Sequence, residues 1–96
     1  MGQLLIKNAK LVNENIQREC DILLENNFIQ RIDSSISPKN AKVIDVKGKY
    51  VLPGMIDDQV HFREPGLTQK GTIATESRAA LAGGITTYME QPNTVP

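Results

Sequence analysis

Gln59, His61 and Arg63 follow Asp57 at every second position and stop immediately before Glu64-Pro65-Gly66. Side chains alternate along a strand, so this spacing sets Asp57, Gln59, His61 and Arg63 on one face and Ile56, Val60 and Phe62 on the other. A parallel strand is usually apolar on both faces. Burying polar groups without partners costs about 1–3 kcal/mol each, so a polar row on such a strand calls for a ligand site, such as the lumen of a barrel. The bland reading stays open beside this one: His61 is then a satisfied core or surface histidine on an exposed edge strand. Position favours the ligand site, because α/β barrels carry their catalytic residues where strands end in loops. Asp58 sits on the apolar face, and the sequence gives no account of it.

The elements that must position these residues follow a strand–helix–strand order after Pro53-Gly54. The pattern predicts a strand over residues 55–62, a helix over 72–82 and a second strand over 85–90. Thr72 can cap the helix, Glu76 lies in its first turns where the dipole favours an anion, and Gly83-Gly84 supplies a stop. Ile73, Ser77, Ala80 and Leu81 share a face of mostly small residues, suited to lying close on a sheet. Such a crossover implies parallel strands and an α/β architecture.

Before Pro53 the apolar residues come in short runs with polar breaks: Leu4-Leu5-Ile6, Leu11-Val12, Ile22-Leu23-Leu24, Phe28-Ile29, Val43-Ile44 and Tyr50-Val51-Leu52. Asn26-Asn27 suits a hairpin, since Asn tolerates left-handed backbone angles. Residues 34–40 read as a surface loop and Lys47-Gly48-Lys49 as a second tight turn. This half is expected to be a small antiparallel β domain, residues 1–52, followed by a first βαβ unit over 53–96.

The chain has 96 residues, 40% hydrophobic and 23% charged, with 11 Lys+Arg against 11 Asp+Glu, a composition that argues against disorder. Zero net charge and 4% aromatic residues offer neither a basic field for phosphates nor a stacking platform for bases, so nucleic-acid binding is not expected. No stretch approaches the roughly 18 apolar residues of a membrane span, and the first ten residues lack a signal-peptide core, so a cytoplasmic protein is expected. The single cysteine, Cys20, is expected to be a small buried hydrophobe.

Pro53-Gly54-Met55-Ile56-Asp57, Val60-His61-Phe62-Arg63-Glu64-Pro65-Gly66, Arg78-Ala79-Ala80, Ala82-Gly83-Gly84-Ile85-Thr86-Thr87 and Pro92-Asn93-Thr94 together resemble, in order and spacing, the opening of a dihydroorotase. The HFREPG stretch and the PNT triplet are the specific pair. The half before Pro53 fits the family's small β domain less specifically.

The resemblance implies the start of a (β/α)8 TIM-like barrel after the small β domain. It also implies a zinc amidohydrolase, with one or two Zn2+ per full-length chain, that interconverts L-dihydroorotate and N-carbamoyl-L-aspartate in de novo pyrimidine biosynthesis. In the family the first barrel strand ends in His-x-His, two metal ligands. Here it reads Gln59-Val60-His61, so His61 matches the second ligand and Gln59 stands in the place of the first with an amide oxygen, a much poorer zinc donor. Arg63 matches the arginine that holds the substrate carboxylate, and Asn93 matches its asparagine partner. Gln91 replaces the Met that often precedes PNT. The family's bridging lysine, further histidines and aspartate base would lie beyond Pro96. The piece is therefore expected to be either part of a longer enzyme or a truncated product, to carry no catalytic residue of its own and to be inactive alone. The implied partners are the small-molecule substrate, the remainder of the barrel and possible further copies in a homo-oligomer.

Allantoinase and hydantoinase are competing cyclic amidohydrolases. The arginine before Glu-Pro-Gly and the PNT triplet favour dihydroorotase over hydantoinase, whereas allantoinase is harder to separate. A catalytically silent dihydroorotase-like subunit is the alternative of another class, which the glutamine at position 59 would permit.

Overall fold

In the computed structural model, which describes residues 2–91, 94 and 95, the longest strand is β1, Gln3–Asn13. It joins the runs Leu4-Leu5-Ile6 and Leu11-Val12 through a bulge. Ile6 pairs with Ile22 and Ala9 with Cys20, so Lys7 and Asn8 together oppose Asp21 alone. Asn8 adopts a left-handed φ of 59°, a conformation that its short polar side chain tolerates.

β2, Ile16–Glu25, runs antiparallel to β1 across a two-residue turn, Glu14-Asn15, both with positive φ. β3, Phe28–Asp33, returns antiparallel to β2 across Asn26-Asn27 at φ 50° and 69°. Two successive positive φ values are what a primed hairpin turn demands. The Asn26-Asn27 hairpin is therefore as the sequence pattern predicts, whereas the Glu14-Asn15 turn has no such strong signal.

The expectation of a purely antiparallel first half is corrected. β4, Lys42–Asp45, and β5, Tyr50–Val51, both pair with β1 in parallel, giving a five-stranded mixed sheet of order β3-β2-β1-β4 with β5 further along β1. The physical reason lies in the connection after Asp33. It is long enough to carry the chain past β2 to the other side of β1 and set it down in β1's own direction, where a tight turn would have imposed an antiparallel partner. The Lys47-Gly48 turn then folds onto the bulge, with the N–H of Gly48 donating to Asn8 O at 2.8 Å and that of Val46 to Lys7 O at 3.0 Å.

Asp21 fills the gap that the bulge opens. It is 2% exposed, and its carboxylate accepts the N–H of Asn8, the Nζ of Lys7 and the N–H of Ile36, each at 2.9 Å. Burial alone would raise its pKa, but these three donors outweigh burial and hold it below the ordinary carboxylate value. Beside it Ala9, Cys20 and Ile22 form a small apolar cluster, so Cys20 is the buried hydrophobe that was expected.

The chain divides into two units, Met1–Pro53 and Gly54–Pro96. In the second, β6, Met55–Val60, and β7, Ile85–Glu90, pair in parallel across helix α1, Ile73–Ala82. Thr72 caps the helix as the sequence implies. Its Oγ1 accepts the N–H of Thr75 while Thr75 Oγ1 accepts the N–H of Thr72, and Gly83-Gly84 ends the helix, with Gly84 at φ 89°. Ile73 and Leu81, expected to face a sheet, are exposed. No helix among the described residues is long and apolar enough to cross a membrane.

Candidate functional site

β6 ends at Val60, two residues earlier than the pattern predicts, so His61, Phe62 and Arg63 stand beyond the strand. Asp57 pairs with Tyr88 and Val60 with Glu90, so Asp58 and Gln59 bulge against Met89 alone. The unbroken alternation expected from Asp57 to Arg63 is therefore corrected: the bulge and the strand end both interrupt it. This also accounts for Asp58, the residue out of pattern. Its carbonyl accepts the side-chain amide of Gln91 at 3.1 Å, and Asp57 Oδ1 accepts the N–H of Gln59 at 3.0 Å.

Past the strand, the HFREPG loop is held at several points. Phe62, 7% exposed, is the buried member; its ring lies 4.5 Å from that of Tyr88, tilted by 55°. Its N–H donates to both carboxylate oxygens of Glu90, at 3.1 and 3.0 Å. Arg63 is half-buried and takes a left-handed φ of 73°. That conformation is costly for a long side chain and persists where neighbours over-determine it. Here Arg63 O accepts the N–H of Leu67 at 3.0 Å, and the next side chain, Glu64, accepts the N–H of Ile73 at 2.8 Å.

The segment after β7 returns to this loop. The N–H of Val95 donates to Pro65 O at 3.0 Å. Gly66, at φ 91°, lies so close that a Cβ there would collide with the carbonyl of Val95, which is why only glycine fits. Val95, just past the PNT triplet, thus meets the HFREPG loop, whereas Pro92 and Asn93, the candidate substrate-binding asparagine included, lie outside the described residues.

His61 and Gln59 are both exposed. Among the described residues no three of His, Cys, Asp and Glu gather where they could hold a metal. Zinc takes four ligands, and the Gln59-Val60-His61 stretch offers one imidazole, from the single histidine of the chain, and one weak amide donor. The donor set suits one ligand position and does not complete a centre.

Glu64 and Glu90 are the residues whose contacts sequence reasoning passed over, whereas Gln91 was singled out only as a replacement for the family's Met. Glu64 stands nine positions before the first residue of α1, a separation without local signature. Glu90 had a faint one: a carboxylate closing a parallel strand where an apolar residue is usual.

Comparison with known proteins bears on the same residues. The family model described as dihydro-orotase-like matches residues 48–96. The chain is 46% identical to the dihydroorotase of Aquifex aeolicus (strain VF5), across 100% of this chain and 23% of that protein. It is also 46% identical to the dihydroorotase of Lactococcus lactis subsp. lactis (strain IL1403), across 97% of this chain and 22% of that one. Among solved structures, the L-hydantoinase (dihydropyrimidinase) of Arthrobacter aurescens superposes with a TM-score of 0.90 at 35% identity, over 98% of this chain and 21% of that one. A D-hydantoinase (dihydropyrimidinase) from Thermus sp. gives 0.78 at 43% identity, over 91% and 20%. Fold and sequence thus place the chain among hydrolase-type relatives of which it spans less than a quarter. The chain belongs to the dihydroorotase-like family.

Proposed function

We propose that this chain is the N-terminal part of a dihydroorotase-like hydrolase. In the full-length form it interconverts L-dihydroorotate and N-carbamoyl-L-aspartate by zinc-assisted hydrolysis of the cyclic amide, in pyrimidine biosynthesis in the cytoplasm. The observation that carries this reading is the hydrogen bond from Val95 to Pro65. It ties Val95, two residues after Asn93 in sequence, to the loop that bears Arg63, which supports assigning both residues to one substrate carboxylate. The 46% identity to dihydroorotases supports the same substrate.

On this reading β6, α1 and β7 open a (β/α)8 barrel, and the loop after β6 belongs to its catalytic end. Arg63 grips the substrate carboxylate as a planar fork and Asn93 completes the grip. His61 is a zinc ligand; Gln59 occupies the neighbouring ligand position weakly. When bound, the metal supplies hydroxide near neutral pH and polarises the ring carbonyl. The remaining ligands and the proton-transferring groups belong to the larger part of the relatives' length that this chain does not match.

A second reading is a hydantoinase-like specificity, favoured by the TM-score of 0.90 to the L-hydantoinase. Ring opening by the full-length, zinc-supplied protein separates the two. Turnover of dihydroorotate with little on hydantoin, allantoin or dihydrouracil is the expected result. Preference for any of the last three would overturn the substrate assignment. A protein that opens none of them and holds no zinc would be a silent subunit.

A further inference from the structure

Phe62 is seated from two positions on β7. Tyr88 packs against its ring and Glu90 receives its N–H on both carboxylate oxygens. Residues two apart on a strand project to the same side, so the pair forms one continuous seat. The ladder between the two strands ends two residues before Phe62, with the N–H of Gln91 donating to Val60 O at 2.8 Å. Past that point the backbone of the loop has no strand partner. A freed N–H must find another acceptor, and the Glu90 carboxylate takes the place of the absent strand. Glu90 is itself exposed, so burial does not explain its presence.

We propose that Glu90 is a positioning residue: by clamping the peptide between His61 and Phe62, it fixes the directions in which His61 and Arg63 leave the backbone. The proposal rests on the roles assigned to those two side chains above. A hydrogen bond to a charged acceptor is stronger than one to a neutral acceptor. Removing the carboxylate therefore releases the N–H of Phe62 while leaving the Tyr88 contact intact.

The test uses the full-length protein and its Glu90→Ala and Glu90→Gln variants. It measures kcat and KM for dihydroorotate, zinc per chain after dialysis, amide exchange at Phe62 and the thermal midpoint. Groups bonded directly to a metal ligand are worth about 10–100-fold in affinity or activity, and Glu90, which holds the peptide beside His61 and not its ring, is expected at the lower end of that span. Glu90→Ala is expected to lower zinc retention and kcat/KM to that extent and to speed exchange at Phe62, with little change in thermal midpoint. Glu90→Gln, which keeps one acceptor oxygen, is expected to recover most of the loss. Unchanged Phe62 exchange, or parental zinc retention and kcat/KM in the alanine variant, would overturn the proposal. So would equal losses in both variants that only track a fall in thermal midpoint. A parent that opens no cyclic amide would defeat the proposed function instead; Glu90 would then be judged on Phe62 exchange and zinc retention alone.

Discussion

Glu64 Oε2 accepts the backbone N–H of Ile73 at 2.8 Å, so the loop that carries Arg63 is fastened to the first turn of α1. An acceptor at a helix N-terminus satisfies an orphan donor and meets the positive end of the dipole.

Replacing Glu64 by Ala is expected to destabilise α1 by about 1 kcal/mol, the usual worth of a helix-capping acceptor. Glu64→Gln should lose less, since its amide oxygen still accepts. Chemical denaturation of the two variants checks this, and equal stabilities for both and for the parent would show that the contact carries no energy.

Asp21 is expected to be the most sensitive polar residue of the first unit. Asp21→Ala leaves the N–H groups of Asn8 and Ile36 without their acceptor and Lys7 without its partner, a loss of roughly 2–4 kcal/mol. The pH dependence follows from the lowered pKa. The stability that Asp21 contributes is fully present above its unfolded value of about 3.9 and is lost as pH falls through the lower folded value. Unfolding followed from pH 6 down to pH 2 should show parent and Asp21→Asn converging at the acid end; a constant gap across that range would contradict the linkage.

Much of the second unit was legible from the sequence, because its signals are local. Thr72 and Gly83-Gly84 mark the ends of α1 through local capping signals, and β7 follows from the strand–helix–strand order. The first unit was legible as strands and turns but not as a topology. The parallel pairing of β4 and β5 with β1 depends on where a connecting loop sets the chain down, and no residue type encodes that. The site was legible as a set of motifs, whereas the bulge at Asp58-Gln59 and the left-handed Arg63 were not. The bulge arises from pairing with β7, distant in sequence, and the backbone around Arg63 is held by its own bond to Leu67 and by the bonds of its neighbours Phe62 and Glu64 to Glu90 and Ile73.

Arg63→Lys in the full-length protein is expected to raise KM for dihydroorotate by roughly 10–100-fold, because a point charge does not reproduce a planar two-bond clamp. The left-handed backbone at position 63 suits neither residue better, so the thermal midpoint should hardly move. Steady-state kinetics with parental constants would show that Arg63 does not hold the carboxylate.

The central claim is that the end of β6 delivers a metal ligand, His61, beside a position weakened by Gln59. Zinc per chain, measured by elemental analysis after dialysis, tests it in the full-length parent, His61→Ala and Gln59→His. An imidazole at position 59 adds a donor better matched to zinc than an amide oxygen. Zinc occupancy is expected to fall in His61→Ala and to rise in Gln59→His. If His61→Ala keeps its zinc and Gln59→His gains none, this strand does not bind metal and the account is wrong at its centre.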